Sequence, residues 1–424
     1  MYLKSLRLTE FRRYRALDLQ IPQEGFVLIG RNASGKSTLL EAISMLSTMR
    51  SGRAQTEREL IAWESGSEYG DGIAPFARIE ASVERSAGPA ELAIGMQLDP
   101  HRGNHLKKQI SLNGKHVRAG TAVGVLRSVL FEPGDIELVS GAPSVRRRYL
   151  DIMLSQLDPV YLRSLSRYLR IVEQRNRLIK NLTQSGAAWN AASTRQQLDY
   201  WDGELINAGA AILARRARAA AELTKLAAAR FASFTEESTL GVSYASTVRS
   251  NVFELPGSST LDELEHRLAY DMSESLERER QHEWRRGITL VGPHRDDLIV
   301  TIDGNAIGAF GSRGQQRLAV IALKLAETDL MTSAGADPPV LLLDDVFQSS
   351  IRCIVACWRV RLPVEKCKRS SLRPMKLLSA RRPFRSSAMQ RSALARSVGS
   401  IDRRSGIGLR RRCWCATIRR RVGE

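Results

Sequence analysis

The sequence predicts an α/β fold: a head with a mixed sheet, interrupted by an inserted, mostly helical arm. Three observations predict it. The apolar run Phe26-Val27-Leu28-Ile29 meets a glycine-bearing loop and then a helical pattern. A second apolar run, Val340-Leu341-Leu342-Leu343, ends in two carboxylates. Ser37 and Ser312 stand 275 positions apart, and the stretch between them is rich in long helical patterns without sustained heptads.

In chain order, Tyr2, Leu6 and Leu8, then Leu17, Leu19 and Ile21, alternate with other residues and predict half-buried strands. The run 26–29 predicts a buried strand, and 37–47 a helix with Leu39, Leu40, Ile43 and Leu46 on one face. Residues 76–118 alternate again, with Asn113-Gly114 as a turn. From about 144 to 287 long helices are expected, and the Ala-rich stretch Ala208–Phe231 favours helix intrinsically. Leu298–Ile302 predicts a strand before the Asp303-Gly304 turn, 315–330 a helix, and 340–343 a second buried strand. The head is therefore expected over 1–135 and 288–347, and the arm over 136–287. Residues 348–424 are expected to form a basic tail apart from both, disordered or out of frame.

Charge separates that tail from the body. The 424 residues carry a formal net charge of +19, which for the whole chain suggests a nucleic-acid or membrane-surface binder. Residues 351–424, however, hold 21 of the 64 basic residues and three of the 45 acids. The first 350 residues keep 43 basic against 42 acidic, a net of +1. All five cysteines, Cys353, Cys357, Cys367, Cys413 and Cys415, also follow position 350. A cysteine-free body has no disulfide framework, which fits the cytoplasm. No apolar run approaches the roughly 18 residues of a membrane span, and the first residues lack a signal-peptide pattern. Secreted, disulfide-stapled and integral-membrane classes are thereby excluded.

The chemistry is carried by three motifs. Gly30-Arg31-Asn32-Ala33-Ser34-Gly35-Lys36-Ser37 matches the GxxxxGK[ST] phosphate loop, or Walker A, with Thr38 following it. Glycines let successive N–H groups turn toward phosphate oxygens, and the next helix presents its positive end. Lys36 is expected to reach the β- and γ-phosphates of ATP, and Ser37 to ligate Mg²⁺. At the end of the second run, Asp344 is expected to hold Mg²⁺ through water, and Asp345 to orient or deprotonate the attacking water. Phe310-Gly311-Ser312-Arg313-Gly314-Gln315-Gln316-Arg317 precedes a helix and stands 30 positions before Asp344, from Gly314. It resembles the signature of ABC-type ATPases, in which such a helix N-terminus caps the γ-phosphate held by the opposite subunit. Ser312, Gly314 and Gln315 are therefore expected at the nucleotide; the plain alternative is a helix start capped by Ser312.

Further stretches resemble the RecF family of bacterial DNA replication and repair ATPases, over about 1–347. They are Phe11-Arg12-Arg13-Tyr14, Pro143–Asp151 with its triple arginine, Gln174-Arg175-Asn176-Arg177-Leu178, Trp201-Asp202 with Gly209, and Gly292-Pro293-His294-Arg295-Asp296-Asp297-Leu298. Ala33 stands where relatives usually have Gly, and Arg13 where they often have Asn. The resemblance implies an ABC-type P-loop head that dimerises on ATP and associates with single- and double-stranded DNA at gaps or stalled forks. It implies work with RecO and RecR in loading RecA, and a part in the SOS response. Arg12 either approaches the nucleotide or is an exposed strand-end residue. Arg146, Arg147 and Arg148 contact DNA phosphate, or form a solvated helix start with an Arg147–Asp151 pair. Arg215, Arg216 and Arg218 line DNA or a solvated face. His294 senses phosphate, bridges domains or is structural.

After Phe347 the family pattern stops. Relatives continue roughly Ser-Glu-Leu-Asp, whereas Gln348-Ser349-Ser350-Ile351 follows here. A reading-frame shift near codon 348 explains the basic, unpatterned composition. A genuine nucleic-acid-binding tail is the competing reading, and its cysteine spacing matches no zinc site. Two other functions stay open on sequence alone: an ATPase subunit of a transporter, and a non-catalytic DNA-binding or partner-docking protein.

Overall fold

The computed structural model describes residues 1–65, 74–99, 105–253, 260–345 and 374–376. The five cysteines and the expected tail, apart from 374–376, lie outside the described residues.

Strands β1 (Tyr2–Phe11) and β2 (Tyr14–Gln20) form a hairpin, followed by β3 (Val27–Ile29) and helix α1 (Lys36–Thr48). Then come β4 (Phe76–Glu84), β5 (Ala90–Asp99), β6 (His105–Leu112), β7 (Lys115–His116), the short α2 (Ala119–Ala122) and β8 (Ser128–Phe131). The helical stretch contains α3 (Glu137–Ser140), α4 (Pro143–Leu157), α5 (Pro159–Gln184) and α6 (Ala192–Ala232). It is broken by β9 (Leu240–Ala245) and resumes with α7 (Leu261–Arg286). The remaining elements are β10 (Asp297–Ile302), β11 (Asn305–Ala306), α8 (Ile307–Phe310), α9 (Arg313–Ala334), β12 (Val340–Leu343) and β13 (Pro374–Lys376).

Parallel and antiparallel pairing both occur, in separate sheets. The alternating N-terminal segments make a six-stranded antiparallel sheet in the order β2-β1-β4-β5-β6-β7. A second antiparallel sheet, β11-β10-β9, contains a strand within the region expected to be helical. β9 escaped notice because it is short and lies between two long helices. It is defined by pairing Leu240–Ala245 against Ile302–Asp297. Parallel pairs join β12 to β8 and β13 to β3.

Two hydrophobic cores explain which residues face where. One gathers β1, β4, β5 and α1 through Leu6, Leu8, Ile79, Ile94, Leu39 and Ile43. The other joins α4, α5, α6, α7, α9 and β10, so the long helices share a core with α9. β12 lies between them: Leu342 enters the first core while Leu341 and Leu343 pack against the second. A strand covered on both faces reads as a continuous apolar run, because its period-two alternation supplies two cores.

The same reasoning corrects the reading of β3. It was expected to be buried, but Val27 is 47% and Ile29 49% exposed, and only Leu28 packs against the first core. No described element covers the face that Val27 and Ile29 share. The apolar run predicted two covered faces, and the described residues supply one.

The family-specific stretches meet in a buried polar network among the long helices. Arg175 of α5 is 1% exposed and donates from Nε to Asp202 of α6 at 2.7 Å. It also donates to Glu283 of α7 at 2.7 Å and to Thr289 Oγ1 at 2.8 Å. Arg216 of α6 donates to Asp151 at 2.6 Å, Tyr161 at 2.9 Å, Tyr244 at 3.2 Å and the Pro293 carbonyl at 2.7 Å. Beside this network Gly292 has φ 123°, and any side chain there would run into Tyr168 Oη.

His294 belongs to that network and not to a phosphate site. Tyr168 donates to Nδ1 at 2.7 Å, which leaves the proton on Nε2, 3.2 Å from the Thr289 carbonyl. Burial lowers its pKa from 6.5 to about 4, against the opposing hydrogen bond to Thr289. Because the folded pKa is depressed, the neutral ring's contribution is complete above about pH 6.5. It is lost as pH falls toward 4, when the unfolded chain takes up the proton first. Thermal unfolding should therefore show a destabilisation over that window on the order of 3 kcal/mol. His294→Gln should flatten that part of the profile, and an unchanged slope would remove His294 as its cause.

Candidate nucleotide-binding site

The phosphate loop sits between β3 and α1, where the backbone does what the motif requires. Gly35 is the N-cap of α1 with φ 101°, and no side chain caps the helix. The first N–H groups of α1 are thus free of capping side chains at the positive end of the helix, a site suited to phosphate. Tyr14 Oη donates to the Gly35 carbonyl at 3.0 Å and ties the loop to β2. A Cβ at Gly35 would meet that hydroxyl at 2.7 Å and Arg13 Cδ at 2.9 Å, so the glycine is required for space as well as conformation. Ala33 has φ 59°, a left-handed conformation that costs a non-glycine residue on the order of 1–2 kcal/mol. This is the physical reason a glycine suits that position better.

Lys36 Nζ donates to the carbonyls of Gly30 at 2.9 Å and Arg31 at 3.0 Å, folded over its own loop. Ser34 Oγ is buried with no hydrogen-bond partner. A polyphosphate in the loop offers the oxygen that Ser34 lacks and anionic oxygens in place of the carbonyls that Lys36 now uses. Arg13 and the run Ala33–Thr38 line a cavity of about 140 Å³ here, so Gly30, Arg31 and Asn32 complete the loop from its β3 side.

The contact that crosses the chain joins this loop to the end of β12. Ser37 Oγ donates to Asp344 Oδ1 at 2.9 Å, over 307 positions. Hydroxyl and carboxylate oxygens are the hard donors Mg²⁺ prefers, so Ser37 and Asp344 fit that ion as a pair. Among the described residues no cluster of three or more His, Cys, Asp or Glu side chains forms another metal site. Asp345 follows, exposed, with φ 45°.

Arg53 was not anticipated at this site. It donates to Asp344 Oδ2 at 2.6 Å and to Glu132 at 2.8 Å. Its guanidinium supplies positive charge to the very carboxylate expected to hold the metal. Burial works against the Arg53 charge, but hydrogen bonds from it to Asp344 and Glu132 raise its pKa overall. No motif marks a residue 16 positions beyond Ser37, so only the fold could reveal it.

Arg12 is not the exposed strand-end residue of the plainer reading. Its Nη2 donates to Glu41 Oε1 at 2.8 Å, so it is a half-buried ion pair at the rim of the site. Ser312 and Gln315 form a reciprocal cap at the start of α9: Gln315 N–H donates to Ser312 Oγ at 3.2 Å, and Ser312 N–H donates to Gln315 Oε1 at 2.9 Å. Ser312 and Gly314 are exposed, and Phe310 before them is 80% exposed. This signature stretch is presented outward at a helix N-terminus.

The expected DNA-facing arginines are largely used inside the molecule. Arg146 clasps Asp297 with two hydrogen bonds of 2.7 and 2.8 Å, and Arg147 donates to the Asp296 carbonyl at 2.8 Å instead of pairing with Asp151. Arg148 donates to the Gly52 carbonyl at 3.1 Å. Arg215 pairs with Asp158 and Glu265, and Arg216 is buried; Arg218 alone of that trio is exposed. Helical periodicity could not show this, since the acids that receive these arginines lie on other elements.

Known proteins identify the family. The profile of the RecF/RecN/SMC N-terminal domain matches residues 2–349. The chain is 44% identical over 354 residues to the DNA replication and repair protein RecF of Thermomicrobium roseum, covering 81% of this chain and 86% of that one. The chain belongs to the RecF family. RecF of Bacillus subtilis is 35% identical over 351 residues, covering 82% of this chain and 86% of that one. A solved structure of the recombination mediator protein RecF with ATP, in the RecFOR pathway, superposes with a TM-score of 0.69. It is 26% identical and covers 82% of this chain and 86% of its own.

Proposed function

We propose that this chain is a DNA replication and repair ATPase that binds ATP with Mg²⁺ and dimerises on DNA. The observation that carries the reading is the Ser37–Asp344 hydrogen bond, which brings two oxygen groups suited to Mg²⁺ beside the uncapped N-terminus of α1. The named RecF relatives and the ATP-bound RecF structure support the same assignment. None of them is a transporter subunit. No described helix is long and apolar enough to cross a membrane. The family's work on DNA supports the cytoplasm as its compartment.

In this reading the loop 30–37 and Thr38 hold the phosphates, and Lys36 leaves the Gly30 and Arg31 carbonyls for the β- and γ-phosphates. Ser37 and Asp344 hold Mg²⁺, which neutralises phosphate charge when bound. Asp345 orients the attacking water. Ser312, Gly314 and Gln315 serve the partner protomer: their outward helix N-terminus is placed to cap a γ-phosphate held across the dimer. DNA gaps, single or double strands, RecO- and RecR-type partners and RecA loading follow from family membership, as does the SOS response.

Light scattering of the full chain on gapped DNA is expected to show a dimer with ATP and Mg²⁺, and a monomer without nucleotide. Dimers that form equally without nucleotide would overturn the mechanism. A second reading, ATP binding with little turnover, rests on the uncovered face of β3, where Val27 and Ile29 are half exposed. A phosphate-release assay separates the two. If the gene translated in either other frame after codon 348 gives an acidic segment, a helix and a strand, the frame shift explains that face. If neither does, the shift is wrong.

A further inference from the structure

Trp63 is fully exposed, although the three residues before it, Leu60, Ile61 and Ala62, are buried. The backbone that carries it is held in place. Arg12 N–H donates to the Leu60 carbonyl at 2.7 Å, and Ala62 N–H donates to the Glu10 carbonyl at 2.8 Å. No described ring or cation stacks on the indole. A large apolar face held in water at a fixed position needs a reason, because burying it would be worth several kcal/mol.

Its surroundings supply one. Trp63 lines a cavity of about 450 Å³ with Arg12, Thr38 and Glu59. Arg13 and Thr38 also line the phosphate-loop cavity, so the two spaces adjoin. Asp344, at which the metal belongs, reaches Ser37 and does not line the Trp63 cavity. A nucleotide whose phosphates lie along 33–38 therefore has its nucleoside directed toward Trp63.

We propose that Trp63 is the stacking platform for the base of the bound nucleoside triphosphate, a purine being favoured by its larger face. This rests on the assignment of Lys36–Thr38 to phosphate. A strand of nucleic acid is the weaker occupant, because two of the three arginines around the cavity are already neutralised and the third, Arg13, also lines the phosphate-loop cavity. Arg12 pairs with Glu41 at 2.7 Å, and Arg15 pairs with Glu10 at 2.9 Å and Glu64 at 2.6 Å. A track for a phosphate backbone presents unpaired charge.

The test compares ATP with inorganic tripolyphosphate by calorimetry on the full chain with Mg²⁺. Trp63→Ala should weaken ATP by roughly 5- to 100-fold, the usual range for a lost base stack, and leave tripolyphosphate unchanged. Trp63→Phe should restore most of the affinity. Equal ATP affinity in Trp63→Ala overturns the proposal, as does an equal loss for tripolyphosphate. A loss confined to oligo-dT binding overturns it in favour of a strand platform. Lys36→Ala tests the underlying assignment separately: if it keeps full tripolyphosphate affinity, the phosphate site is misplaced whatever Trp63 does.

Discussion

Arg175→Ala should destabilise the chain by about 3–5 kcal/mol, the cost of removing one partner from a buried ion network. Asp202 and Glu283, each less than a tenth exposed, would lose their shared cation. Arg280 would still reach Asp202 at 3.0 Å, so the stranded charge is chiefly Glu283. Three helices, α5, α6 and α7, depend on this one guanidinium, and loss of helical signal on heating is the measurement. Arg218→Ala on the exposed face of α6 should shift stability by less than about 0.5 kcal/mol. Unfolding of Arg175→Ala at the wild-type temperature would show that packing, and not the network, sets the stability of these helices.

Lys36→Ala should weaken ATP binding by about 10- to 100-fold, as expected for losing a charged hydrogen-bond donor to phosphate. Lys36 is half-buried, and the hydrogen bonds shown for it stay within its own loop, at the Gly30 and Arg31 carbonyls. Folding should therefore be unaffected, and the loss should appear in binding and ATP-dependent dimerisation alone. Equilibrium dialysis with labelled ATP measures it. Unchanged ATP affinity would move the nucleotide away from 30–38.

The two experiments probe regions that differ in how plainly they could be read. The phosphate loop is legible because its chemistry depends on neighbours along the chain. A glycine at position 35 and a lysine at 36 act through a local turn and the start of one helix. β12 was equally legible, since two covered faces require an unbroken apolar run. β3 carries a similar run with only one face covered, because composition reports what a strand can bury and not what is present to bury it.

The charged residues were the least legible. Arg146, Arg147, Arg215 and Arg216 present the same pattern whether they face DNA, water or an acid on another helix. Their partners lie 149 to 151 positions away for Arg146 and Arg147, and 50 to 77 away for several of the others. A guanidinium has five donors and a long reach, so its role is settled by whatever acceptor the fold brings near.

By itself, then, the sequence determined the phosphate loop, the carboxylate-tipped strand, the helix start that carries the signature stretch and the near-neutral body behind a basic tail. Each depends on residues within a few positions of one another. Only the tertiary structure decided that Asp344 meets Ser37, that Arg53 pairs with that carboxylate, that buried arginines hold the long helices together, and that Trp63 lines a cavity adjoining the phosphate loop. Those facts depend on packing between elements far apart in the chain, and distance along a chain carries no information about distance in space until the cores have formed.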